Sequence, residues 1–296
     1  MNYSSRKPEG PSFFSYKRPL QREPFLPYYS LLRLKMNHFP AQASFDQKTP
    51  SRKRIILRDD QISWTEAMDL ARWLSGQKKA FVLIDTGLFS LAELEWLATR
   101  KTIIVSYPEA GRSWSEILLL GKVARRAGRT VIFGYKGSET GEKLAEIYPG
   151  LRHMGRGGID IHLSGRARKI EPEALSQLAA DCREGQAYFV YYHYGPVEAW
   201  LHQLGREEAW IHLLDHFFNW SEMNDLEELF KSYSRKVKLV IHTEKENGTP
   251  ELVEMVSKWG GYLVFSRPPW PSFKKGYQAD PALPFRAYHL EPRALF

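Results

Sequence analysis

The sequence predicts an α/β protein made of alternating strand and helix units around a largely parallel sheet. Three observations predict it. Short runs of β-branched and apolar residues recur from position 55 to position 265. Amphipathic stretches lie between most of these runs. Ser-x-x-Glu boxes, glycine stops and proline starts mark the boundaries. Alternation of this kind is the signature of parallel βα units, and it leaves open whether they form a β/α barrel or a doubly wound sheet.

In chain order, strands are expected at 55–57, 81–84, 102–105, 130–133, 159–162, 188–192, 210–214, 238–241 and 262–265. Each is a run of three to five mostly apolar residues, close to the length of a covered strand. Helices are expected at 65–74, 91–98, 114–127, 142–147, 172–182, 196–204, 225–233 and 250–259. Ser63 with Glu66, Ser90 with Glu93 and Ser113 with Glu116 form capping boxes. Gly76 and Gly128 stop the first and third helices. Arg125, Arg126 and Arg129 sit at the end of the third, where cations suit the helix dipole. Met154-Gly155-Arg156-Gly157-Gly158 reads as a turn. The tyrosine-rich run 188–192 reads as core packing.

Charge is unevenly placed. Residues 1–54 carry eleven Lys/Arg against three Asp/Glu, a balance of +8 that equals the whole-chain charge, so the body is neutral. The leader 1–53 is expected to be disordered, with Met36 as an alternative start, and its interleaved basic and aromatic residues suit RNA or single-stranded nucleic acid. One cysteine, Cys182, excludes an internal disulfide and a cysteine-cage metal site. No apolar run reaches the ~20 residues of a membrane span, so a cytoplasmic protein without a membrane partner is expected. Oligomeric state is not legible. Residues 271–296 form a proline-containing tail.

The stretch 236–269 carries the best functional clue. A strand delivers His242, Thr243 and Glu244 to its carboxyl end, and Thr249-Pro250-Glu251 then starts a helix. Ligands of parallel sheets gather at such ends. Other strands end near Asp59, Asp85, His162, Ser164, His193 and Asp215.

Residues 220–244 resemble the β-CASP nucleases of the metallo-β-lactamase fold, the ribonuclease J group. There a helix beginning with Asp-Leu precedes a strand that ends in His-Thr-Glu. Asp225-Leu226 and His242-Thr243-Glu244 follow that order. Ala124-Arg125-Arg126-Ala127-Gly128-Arg129 is similar to a stretch of the β-CASP insert, and Asp85 and Asp59 match the places of the family's acidic residues. The resemblance implies a metallo-β-lactamase-like half-fold at 54–100 and 187–270, with a β-CASP-like insert at 101–186. It implies His242, Glu244, Asp85 and Asp59 as the catalytic remnant and Arg125, Arg126 and Arg129 as a nucleic-acid contact. The HxHxDH cluster is absent, and Trp220 stands where a metal-binding histidine belongs. The expectation is therefore a degenerate RNA-processing nuclease without an intact dizinc site and without a cofactor, unless another chain supplies the missing ligands.

The other expectation is an α/β hydrolase or transferase for a small substrate, phosphorylated or not. Its acid and base would come from His162, His193, His242 and Glu244, which must then converge on one pocket.

Overall fold

The structure, a computed structural model, describes residues 54–76, 80–135, 141–165, 170–214, 220–244 and 250–266. Among these, nine strands form one sheet: β1 Arg54–Arg58, β2 Ala80–Asp85, β3 Ile103–Ser106, β4 Val131–Tyr135, β5 Asp160–Ser164, β6 Phe189–Tyr194, β7 Trp210–Leu214, β8 Leu239–Glu244 and β9 Tyr262–Ser266. Every neighbouring pair is parallel, and the order across the sheet is the order along the chain. Eight helices alternate with them: α1 Trp64–Gly76, α2 Leu91–Thr99, α3 Trp114–Arg126, α4 Gly141–Arg156, α5 Pro172–Glu184, α6 Leu201–Arg206, α7 Trp220–Ser232 and α8 Pro250–Trp259. None of the described helices is long and apolar enough to cross a membrane.

Chain-order winding has a consequence for the two faces of the sheet. Parallel crossovers are nearly always right-handed, so a sheet that always steps in one direction receives all its helices on one side. The buried residues sort accordingly. Leu94, Leu120, Leu151, Leu178, Leu204 and Leu229 of successive helices share one core with Leu83, Ile104, Phe133, Leu163, Ile211 and Ile241 of the strands. Each of these side chains, taken out of water, contributes about 1.5–3 kcal/mol. Residues of the opposite parity form two smaller clusters without any helical member. One is Val82, Ile84, Ile103, Val105, Tyr107 and Ile132. The other is Val190, Tyr192, Trp210, Leu214, Val240 and Tyr262. We call their side of the sheet the inner face.

All nine expected strands are present, shifted by a few residues at most. The three capping boxes form: Ser63, Ser90 and Ser113 each accept from the backbone N–H three residues on, and each serine N–H donates to the glutamate. Three helices differ from expectation, one of them the sixth, which begins at Leu201 rather than at 196. The fourth was expected to stop at 147, before Pro149-Gly150, yet α4 continues to Arg156 with the proline inside it. A proline there costs about 3 kcal/mol. Full burial of Leu151 and Met154, and a bond from Tyr148 Oη to the Ala174 carbonyl at 2.6 Å, offset that cost. The seventh starts at Trp220, five residues before Asp225.

These facts correct the β-CASP resemblance. The segment expected as an insert supplies β3, β4 and β5, which lie between β2 and β6 in the same sheet rather than apart from it. Asp225 is interior to α7, and the Ala124–Arg129 stretch is an ordinary helix stop, with Gly128 at φ +71°. What the motifs share with nucleases is local: a strand, a polar end, a helix. Any βα unit provides that, and the chain-order parallel sheet is not a metallo-β-lactamase half-fold.

Candidate functional site

The inner face carries a line of buried polar rings across four consecutive strands. His162 sits on β5, Tyr192 on β6, His212 on β7 and His242 on β8, and none is more than 4% exposed. Strand alternation aims all four to the helix-free side, because Ile161, Tyr191, Ile211 and Ile241, the residue before each, face the helices. His162 Nδ1 and Tyr192 Oη are 2.6 Å apart. Tyr192 and His212 are register partners, with ring centroids 5.0 Å apart and planes at 65°. His212 Nδ1 and His242 Nε2 are 2.8 Å apart. A bond between two ring nitrogens needs one of them to carry the proton and the other to accept it. The pair therefore shares a proton between two buried ring nitrogens.

Most other expected site residues lie elsewhere. Asp59 accepts from Thr86 N–H at 2.9 Å, Leu88 N–H at 3.0 Å and Phe89 N–H at 3.3 Å, and from the Thr86 hydroxyl. Asp85 accepts from Arg112 Nε at 3.0 Å and Nη2 at 2.9 Å, from Ser106 Oγ at 3.0 Å and from Gly87 N–H at 3.0 Å. Arg112 also donates to the Phe89 carbonyl. The hydrogen bond to Asp85 holds its guanidinium above the ordinary range. These two carboxylates fasten the loop after β2, and neither joins the histidine line. Asp85 lies six strands from His242.

His193 is buried on the opposite, helix-covered face, against Tyr191 and Trp200, and its Nε2 donates to the Pro196 carbonyl at 2.7 Å. Burial keeps this imidazole below its usual value, and burial pushes the Tyr191 phenol above its own. Glu244 closes β8; its side chain lies outside the described residues. His162, His193 and His242 thus divide between two faces. The convergence required for the hydrolase or transferase reading is absent.

Arg125 donates to the carbonyls of Gly157 at 2.9 Å and Gly185 at 3.3 Å, and Arg129 to that of Lys101 at 3.0 Å. They tie together the turns that lead from helices into strands, at the amino-terminal end of the sheet. Arg126 stands exposed and makes no such bond among the described residues. The Gly157-Gly158 turn is one of those tied by Arg125. The leader 1–53, on which the expectation of RNA contact mainly rests, lies outside the described residues.

His212 was missed and Tyr192 was expected as packing. A signal for His212 exists: Ile161-His162, Ile211-His212 and Ile241-His242 repeat one dipeptide late in three strands, which sets the three histidines at one parity. Among the described residues no group of three or more His, Cys, Asp or Glu could hold a metal ion.

No known family matches the sequence, and no curated protein does. Solved structures show a distant likeness. Deoxyribose phosphate aldolase from Aeropyrum pernix is 12% identical with a TM-score of 0.31, over 71% of this chain and 90% of that one. Agrobacterium tumefaciens ATU3138 is 13% identical with a TM-score of 0.31, over 84% and 80%. Phospho-2-dehydro-3-deoxyheptonate aldolase from Thermotoga maritima is 12% identical with a TM-score of 0.32, over 75% and 63%. None of the three is named as a nuclease. Likeness at this level assigns no activity, so a functional reading rests on the site's own geometry.

Proposed function

We propose that the sheet curls into a β/α barrel with its helices outside, and that the inner face is the active site of an enzyme that moves protons on a small substrate. The observation that carries this reading is the hydrogen-bonded ring line, His162 with Tyr192 and His212 with His242, on the face the helices leave bare. Apolar side chains of similar size would hold such a sheet at least as well. Each buried polar group that loses its partner costs about 1–3 kcal/mol. A connected line of four is therefore a feature that stability does not require. Its position, in the last three residues of each strand, is where β/α barrels do their chemistry.

The geometry suits acid–base work. One imidazole of the His212–His242 pair takes a proton from substrate carbon or oxygen at its outer nitrogen and passes the shared proton toward its neighbour. The neighbour's outer nitrogen returns a proton to another atom of the substrate. The net change is an isomerisation or an elimination, with protons balanced and no covalent intermediate. Tyr192 and His162 extend the same capacity to β5. General acid–base assistance of this kind contributes about 10²–10⁴-fold.

The test is proton exchange in heavy water. The full chain is incubated with panels of small carbonyl and hydroxy compounds, and loss of carbon-bound proton signals is followed by NMR. At least one compound should exchange, with a loss of about 100-fold or more in His242→Gln and in His212→Gln. If none exchanges, or both variants match the wild type, the reading fails.

A further inference from the structure

The ring line ends at His162 on β5, and the structure seats one more aromatic residue over the neighbouring strand, β4. Gly134 of β4 is the register partner of His162 and has the same inner-face parity. It leaves a slot there, and Tyr107 fills it. A Cβ at position 134 would stand 2.2 Å from Tyr107 Cε1 and 2.6 Å from Cδ1. Tyr107 is 3% exposed and packs with Val105 and Ile132 on the inner face. Its ring thus lies over β4 at the residue paired with His162, one strand spacing of about 4.8 Å from β5.

The ring is held from behind. Tyr107 begins the loop 107–112, whose far end is the Arg112 guanidinium clamped by Asp85. The same loop presses the Ala110 carbonyl against Gly87, where any Cβ would come within 2.7 Å and φ is +96°. The loop is therefore fixed at both ends, and the tyrosine is not free to swing away.

We propose that Tyr107 is a positioning residue of the site: its ring, seated in the Gly134 slot, sets the orientation of His162 and so the inner end of the line. This rests on the proton-transfer reading only for calling the line a site. The effect of the ring on His162 stands or falls separately. Asp85, expected from sequence as catalytic, acts on this account through Arg112 and Tyr107.

The test uses the ¹⁵N-labelled full chain and the histidine ring resonances, with His162 assigned from the His162→Gln spectrum. Tyr107→Ala and Gly134→Ala should shift the His162 ring signals while leaving those of His193, on the other face, in place. Tyr107→Phe keeps the ring and should restore the wild-type His162 signals. The proposal is overturned if His162 is unmoved in Tyr107→Ala, or if Tyr107→Phe shifts it as far as Tyr107→Ala does. Should Gly134→Ala move the His193 signals too, its fold is disturbed and the two Tyr107 variants decide. Absence of any exchange activity in heavy water would remove the enzyme reading and leave this spectroscopic result standing.

Discussion

Replacing Asp85 by alanine should destabilise the fold severely, and the size follows from its surroundings. The carboxylate is fully covered, and its main partner Arg112 is only 10% exposed. Asp85→Ala removes both charge-assisted bonds to Arg112 and leaves a cation in a nearly dry place. Breaking one side of a buried pair costs about 3–5 kcal/mol. The bonds from Ser106 and the Gly87 N–H are lost as well, at roughly 0.5–1.5 kcal/mol each, although such terms do not add fully. Limited water access to Arg112 works the other way. The net expectation is about 4 kcal/mol, or roughly 8–16 °C in Tm for a domain of this size. Urea denaturation with matched m-values measures it. Asp85→Ala with Arg112→Leu removes both charges and should recover about half of the loss. A single variant costing under about 1 kcal/mol, or a double variant worse than the single one, would refute the buried-charge reasoning.

Other outcomes follow from the same structure. Asp181 is buried between α4 and α5 and held by Arg152, Arg156 and Gln177, whose bonds to it outweigh its burial and keep its carboxyl below the usual range. Asp181→Asn should cost about 1–3 kcal/mol by thermal unfolding, because its arginine partners are partly exposed. Burial depresses His193, so the unfolded chain binds a proton near pH 6.5 while the folded chain stays neutral. Stability should then be greatest above pH 6.5 and fall as pH drops from there to the folded value, and His193→Phe should flatten that slope in denaturant titrations across the range. Gly205 packs so closely on α7 that an added Cβ would stand 1.9 Å from Ser232 Oγ. Gly205→Ala should cost about 1–3 kcal/mol in a melt, and Ser232→Ala should relieve part of it.

Much of the architecture was legible because strands and helix starts are local. The run WIHLL reads as a covered strand, and Ser90-Leu91-Ala92-Glu93 reads as a helix start, whatever the rest of the chain does. Strand order is not local. Each βα unit looks alike whether its strand lies beside the previous one or several places away, so the β-CASP likeness at His242-Thr243-Glu244 survived until the order was known. The fourth helix was expected to be short for a related reason: the burial of Leu151 and Met154, which carries α4 past Pro149, lies in the packing and not in the local chain. Of the site, His162 and His242 were recognised as strand-end residues. His212 sits among the apolar residues of β7 and was passed over. Tyr192 was weighed as core, and it does lie among Val190, Trp210 and Leu214. Asp59 and Asp85 drew notice as acids at strand ends, which is also where loops need carboxylates to gather their N–H groups.

The shared proton between His212 and His242 is the centre of the account, and ring-nitrogen NMR observes it directly. In ¹⁵N-labelled protein, the account predicts a coupling across the hydrogen bond that links His212 Nδ1 to His242 Nε2, and an N–H proton protected from exchange with water. Two histidines with no such coupling, each exchanging freely and titrating independently, would contradict it.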